Sequence, residues 1–244
     1  MMFSRWLGPL IAIGVTLAVP VASAGETRTS PKAVLELFTS QGCASCPPAD
    51  ALLANLAARP DLIALAYHVD YWDYIGWPDT FGQEANSVRQ RDYAARWGSG
   101  RLYTPQLVVN GVKGVVGSRR NEVDDALAQA SLDLPVKLTT RNDMLVVDVE
   151  GRPGLPEAVV WLVTYLDRAD VAIERGENEG KKVAYTNVVT NRQAVGMWEP
   201  GIGAHFKLPL KEVLTGKSNG AVVMVQQEDG GLPGTILGAS AFQR

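Results

Sequence analysis

The sequence predicts an α/β domain of order β-α-β-α-β-β-α followed by an all-β sandwich domain. Three observations carry this. Up to about residue 134, apolar runs alternate with helical periodicity. Beyond it, short β-type runs recur at roughly 8–12 residue spacing between Gly, Asn, Asp and Pro clusters. Both cysteines of the chain, Cys43 and Cys46, fall where the first predicted strand gives way to the first predicted helix.

The first 24 residues read as a signal peptide. Arg5 supplies a positive start, "WLGPLIAIGVTLAVPV" an apolar core, and "ASA" at 22–24 a small-residue cleavage site that leaves Gly25 as the new N-terminus. The alternative is an uncleaved membrane anchor, against which Gly8, Pro9, Gly14 and Pro20 interrupt the run. No later segment reaches the ~18 consecutive apolar residues of a spanning helix. The expected location is therefore periplasmic or secreted, with no membrane association after cleavage.

Residues 25–134 form the expected α/β domain. "AVLELF" (33–38) is a short apolar run read as a buried strand. Ala49, Leu52, Leu53, Leu56 and Ala57 then recur at helical spacing, and Pro47 and Pro48 suit a first turn, where a missing N–H does no harm. "LIALAYHV" (62–69) is a second strand, apolar throughout as in a sheet covered on both faces. A weaker helix spans 84–97, with Ala85, Val88 and Ala95 on one side; Arg89, Arg91 and Arg96 read as a solvated face. "PQLVVNGVKGVVG" (105–117) places Asn110-Gly111 between apolar runs, a strong hairpin signal. A last helix runs from about Ser118 to Ser131, with acids early, where the helix dipole favours them.

Residues 135–244 form the expected sandwich. Its strands are "VKLTTRNDMLVVDVEG" as a pair, then "AVVWLVTYL", "KKVAYTNVVT", "HFKLPL", "AVVMVQQ" and "TILGASAF". The formal net charge of -3, from 23 basic and 26 acidic residues, points to no nucleic-acid partner.

Three chemistries fit Cys43 and Cys46: a redox pair, a metal clip, or an inert staple. Loops at the carboxyl ends of parallel strands are where such sheets bind ligands. A helix start favours a thiolate through its dipole and free N–H groups. In C-x-x-C the first thiol is the more exposed, so Cys43 is the expected nucleophile and Cys46 the resolving thiol. A four-residue loop constrains the unfolded chain little, which argues against a purely stabilising bridge. No cofactor beyond a redox-active Cys43-Cys46 disulfide is expected. His68 and Asp70 end the second strand near the pair. His68 is a candidate for thiolate stabilisation or proton transfer, for a copper or zinc site with Cys43 and Cys46, or for a plain hydrogen-bonded histidine.

The element order, the C-x-x-C and Thr104-Pro105 before the hairpin together resemble the thioredoxin-like superfamily over roughly residues 33–131. A closer resemblance, over nearly all of the mature chain, is to a family of secreted bacterial thioredoxin-like proteins of unknown function. It rests on "ELFTSQGCASCPPAD", "YHVDYWDYIGWPD", "RQRDYAARWG", "YTPQLVVNG" and "RGENEGKKVAYTNVV". The resemblance implies the fold and carries over Cys43, Cys46 and Pro105, the last as a cis proline with Thr104 beside a peptide substrate. Two departures are Ala44-Ser45 in place of Gly-Pro and a long segment between the second strand and Thr104. Thioredoxins also set an acid beneath their disulfide; Glu36 is the candidate here, its alternative being an ion pair with Lys32 or an arginine. Tyr71, Trp72 and Trp77, in an aromatic-rich segment, either line a peptide groove or pack between domains. "RGENEG" (175–180) reads as a hairpin turn and His205 as structural. The expected function is thiol–disulfide exchange on a protein or peptide substrate. The alternatives are a metal-binding protein and a non-catalytic interaction protein.

Overall fold

The structure is a computed structural model that describes Met2, residues 26–28 and residues 31–244. The expected signal peptide, Met2 apart, lies outside the described residues. Among the described residues no helix is long and apolar enough to cross a membrane.

The expected elements form close to their predicted bounds. After a short strand β1 (Glu26–Arg28) come β2 (Ala33–Thr39), α1 (Pro47–Ala57), β3 (Leu62–His68), α2 (Glu84–Arg96), β4 (Gln106–Val109), β5 (Lys113–Val116) and α3 (Arg120–Ala128). The β4–β5 turn uses Asn110 and Gly111 at φ 49° and 71°, the left-handed pair that such a two-residue hairpin demands. The second half supplies β6 (Lys137–Arg141), β7 (Met144–Val149), β8 (Ala158–Ala172), β9 (Lys182–Trp198), β10 (Ala204–Pro209), the short α4 (Leu210–Val213), β11 (Gly220–Asp229) and β12 (Leu232–Gln243).

The assembly of these strands differs from the expected pair of independent domains. Among the described residues, one nine-stranded sheet runs β1-β12-β11-β8-β9-β3-β2-β4-β5 through both halves, and β10-β7-β6 form a separate sheet. The join is β3 beside β9, parallel, with Ala66 opposite Val188. Asn187, at φ 50°, reinforces it by donating to the Ala64 carbonyl at 2.8 Å. Two β layers do face each other in the second half: Leu138, Leu145 and Val147 of the small sheet pack on Val160, Leu162, Val223 and Val225. One of those layers belongs to the sheet that carries β2 and β3. Strand texture near residue 135 does change, but the sheet does not end there. A buried strand edge finds its lowest free energy by pairing, and no local pattern says with which strand.

Side-chain alternation then sorts the first half into two faces. Leu35, Leu37, Leu62, Ala64 and Ala66 turn toward α1 and α3, where Leu53, Leu56, Val123 and Leu127 close one core. Val34, Phe38, Ile63, Leu65 and Tyr67 turn the other way, onto Tyr93 of α2 and onto Val222, Met224 and Ile236 of the second half. β2 and β3 are parallel, with Thr39 opposite His68 at their carboxyl ends. The cysteines sit just beyond that end.

Candidate functional site

Cys43 and Cys46 are joined in a disulfide, and Cys46 is the N-cap of α1. The turn is held by Cys43 N–H donating to the Ser40 carbonyl and Cys46 N–H to the Cys43 carbonyl, both at 3.2 Å. Pro47 and Pro48 occupy the first two helical positions, so two of the expected free donors do not exist. The N–H groups of Ala49 and Asp50 bond back to the Cys46 carbonyl. The helix dipole remains as a thiolate-favouring influence; the expected cluster of free N–H groups does not form.

The expectation of an exposed first sulfur is also corrected. Cys43 is 1% exposed and Cys46 0%. The cover comes from the chain's own turns. Ser45 Oγ lies 3.5 Å from Cys43 Sγ and donates to the Thr104 carbonyl at 3.4 Å. Trp72 Nε1 donates to Thr104 Oγ1 at 2.7 Å. The turn at Asp73–Ile75 presses on Gly42, where a Cβ would stand 3.1 Å from Ile75 Cδ1 and 3.2 Å from Trp72 Cβ. Thr104–Pro105 is a cis peptide, as expected, and Pro105 is buried. Gly117 lets it approach α1: a Cβ there would meet Ala49 Cβ at 3.3 Å and Pro105 Cβ at 3.5 Å.

Glu36 is not the acid beside the disulfide. In β2 it has the parity of Val34 and Phe38, so it points away from α1. There its Oε1 accepts from Arg89 Nε and a terminal guanidinium nitrogen at 2.9 and 2.7 Å, and its Oε2 accepts from Tyr93 Oη at 2.5 Å. Arg89 also donates to Gln226 Oε1 at 3.1 Å, across to the second half. Arg89, expected on a solvated face, is 5% exposed because this carboxylate draws it inward.

The acid on the disulfide side is Asp50, which the sequence reading passed over. It lies one helical turn beyond Cys46, and residues four apart share a helix face. Asp50 is buried, Thr39 Oγ1 donates to its Oδ1 at 2.8 Å, and its Oδ2 has no hydrogen-bond partner. Burial pushes its carboxyl up to about 7, despite the opposing charge of His68 and the Thr39 bond. The i+4 spacing from Cys46 in a run otherwise apolar on that face was the available signal.

His68 does reach this neighbourhood. It is fully buried, its Nδ1 bonds Asp79 Oδ2 at 2.8 Å, and its Nε2 lacks a partner. Its ring packs edge-on against Tyr185 of β9 at 4.7 Å and Phe81 at 5.4 Å. Burial raises the Asp79 carboxyl, but the charge and hydrogen bond of His68 and the N–H groups of Gln41 and Phe81 bring it below its ordinary range. Among the described residues no group of three or more His, Cys, Asp or Glu side chains is placed to hold a metal ion. His68 Nδ1 is directed to Asp79.

The aromatic segment divides its duties. Tyr71 Oη donates to Gln90 Oε1 at 3.0 Å, and burial pushes its hydroxyl up to about 12. Trp72 stacks with Tyr74 at 6.5 Å, and Tyr74 is 81% exposed. Trp77 Nε1 donates to Gln41 Oε1 at 2.8 Å and so ties this segment to the Cys loop. His205 bonds Asp148 in the small sheet, far along the chain from the cysteines.

These features define an α/β protein with a nine-stranded mixed sheet and a covered disulfide at the start of its first long helix. The chain belongs to the family described as a protein of unknown function (DUF1223), which matches residues 34–226. It is similar to a crystal structure of protein AGR_C_4864 from Agrobacterium tumefaciens, with 35% sequence identity and a TM-score of 0.77 over 88% of this chain and 95% of that one. No curated protein matches the chain.

Proposed function

We propose that this protein is an exported thiol–disulfide oxidoreductase, with a thioredoxin-like unit at residues 33–128, acting on protein or peptide thiols or disulfides. The observation that carries the reading is the Cys43–Cys46 disulfide at the N-cap of α1, beside Thr104 and with a buried, proton-holding carboxyl one turn below. The strand order β3-β2-β4-β5, with α1 and α3 on one face and α2 on the other, supports the fold assignment.

In the reducing direction, the Cys43 thiolate attacks one sulfur of a substrate disulfide and expels the other. Cys46 then attacks Cys43 Sγ, expels the second substrate sulfur and re-forms the Cys43–Cys46 bond. Two electrons pass to the substrate, and Asp50 takes the proton of the Cys46 thiol and returns it toward the leaving sulfur. A carboxyl that titrates near 7 is matched to that transfer. The reverse sequence oxidises a substrate dithiol. Because Cys43 is covered, exchange requires Ser45 and the Trp72–Ile75 turn to move aside. Extracytoplasmic location fits a persisting disulfide and the apolar leader of the sequence.

The test is a glutathione redox titration of the purified protein, with mass spectrometry of Cys46→Ala incubated with a disulfide-bonded protein substrate. Reversible two-electron cycling and an adduct on Cys43 are expected; no cycling and no adduct would defeat the reading. A second reading rests on the burial of both sulfurs: an interaction protein whose disulfide is a staple. Full partner binding by a Cys43→Ser/Cys46→Ser variant would favour it.

A further inference from the structure

The loop between β8 and β9 reaches the disulfide from the second half of the chain. Most of it is exposed: Glu174, Arg175, Glu177, Glu179, Gly180 and Lys181 all face solvent, whereas Asn178 is 1% exposed. Asn178 is inserted into the Cys loop. Its Nδ2 donates one hydrogen bond to the Gln41 carbonyl at 2.8 Å and a second to the Cys43 carbonyl at 2.9 Å, using both amide donors. Its Oδ1 accepts from Lys181 Nζ at 2.7 Å. The loop is itself closed by Ile173 N–H to Lys181 O at 2.9 Å and Gly180 N–H to Ile173 O at 2.8 Å.

Gln41 is thereby held at every polar group. Asp79 accepts its N–H at 2.8 Å, Asn178 donates to its carbonyl, and Trp77 and Thr80 bond its side chain at 2.8 Å each. The Cys43 carbonyl accepts from both Asn178 and Cys46 N–H. On reduction the two sulfurs must part from bonding to van der Waals distance. Cys46 caps a helix whose Ala49, Leu52, Leu53 and Leu56 are buried in the core. Cys43 lies in a turn outside the helix, so the parting of the sulfurs falls on its side. A clasp on the carbonyls at 41 and 43 opposes that movement.

We propose that Asn178 is a positioning residue for the disulfide, clasping the Cys43 backbone in the oxidised arrangement, so that reduction of the pair loosens the 173–181 loop. The inference rests on the reading that Cys43–Cys46 cycles between two redox states. It makes the second half of the chain part of the redox site. Coupling of this kind is reciprocal: a clasp that favours the disulfide must be weakened when the disulfide is lost.

The experiment equilibrates the full-length mature protein with glutathione, in which two glutathione thiols reduce one Cys43–Cys46 disulfide and become glutathione disulfide. Asn178→Ala and Asn178→Asp, both lacking the amide donors, are expected to be reduced about tenfold more readily, a potential about 30 mV more positive. Values within twofold of the parent for both would overturn the clasp. The parent protein supplies a second readout that needs no variant. Hydrogen exchange at Ile173, Glu179, Gly180 and Lys181 is expected to be at least about fivefold faster in the reduced protein; equal protection in the two states overturns the proposal. Neither readout involves a substrate. A clasp confirmed without any adduct on Cys43 would leave a cycling pair and defeat only its action on protein disulfides, and an adduct without the shift would defeat the clasp alone.

Discussion

The two faces of the β2–β3 ladder each bury an acid, and they treat it differently. On the α2 face, Glu36 has both oxygens occupied, by Arg89 and Tyr93, and Gln226 bonds both of those partners. On the α1 face, Asp50 keeps one oxygen unpartnered and His68 one ring nitrogen. A satisfied buried ion pair is a structural object, costly to break from one side. A buried carboxyl left half-satisfied instead keeps its proton to higher pH, since burial disfavours the charged form. Burial of an acid thus has two outcomes in one ladder: full pairing on the α2 face and an incompletely paired carboxyl on the α1 face.

The largest expected effect tests the structural face. Glu36→Ala leaves the Arg89 guanidinium buried without its carboxylate, and should cost about 3–5 kcal/mol in denaturant unfolding. A loss under about 1 kcal/mol would erase the distinction between the faces. The protein that remains folded should exchange thiols with glutathione at an unchanged rate.

Asp50→Asn tests the other face. The carboxyl titrates at about 7 in the folded protein against an ordinary 3.8. Between those values the folded state holds a proton that the unfolded chain has released. The stability this contributes is therefore full below the ordinary value and is lost as pH rises through about 7. Unfolding at pH 5 and pH 8 should show that decline in the parent and not in the variant. At pH 8 Asp50→Asn should be the more stable by roughly 1–4 kcal/mol, while release of a mixed disulfide by Cys46 slows by about tenfold or more. A pH slope that persists in the variant would assign it to another group.

Smaller effects bear on the cover. Trp72→Phe removes the Nε1 bond to Thr104, worth about 1 kcal/mol, and should speed reduction by small thiols about fivefold. Ser45→Ala removes the hydroxyl beside Cys43 Sγ and should give about a twofold gain. Both are read by the rate of thiol appearance under a fixed excess of a small dithiol. No acceleration in either would place the covering contact elsewhere in the turn.

Much of the first half was legible because its signals are local. The periodicity of Ala49, Leu52, Leu53 and Leu56 specifies α1 and its buried face, and Asn110-Gly111 specifies the hairpin. Cys43 and Cys46 were recognisable from spacing and position, and His68 from its strand end. Glu36 was misplaced because its parity in β2 had to be read against a helix whose side of the sheet was unknown. Arg89 looked solvated because its partner lies 53 residues away. Asn178 was invisible: in a polar turn one asparagine has no local feature that distinguishes it, and its two acceptors are 137 and 135 residues distant.

The chain's own residues thus determined which segments become strands and helices, and put a sulfur pair where a strand hands over to a helix. Those outcomes follow from side-chain period, turn chemistry and proline, all of which act within a few residues. Only the tertiary structure decided that β9 pairs with β3, that the sulfurs lie under Ser45 and the Trp72 turn, and that Asn178 reaches the Cys43 carbonyl. The β3–β9 pairing and the Asn178 contacts join segments more than a hundred residues apart, and the Trp72–Thr104 cover joins residues 32 apart; no local stretch of sequence contains those free energies.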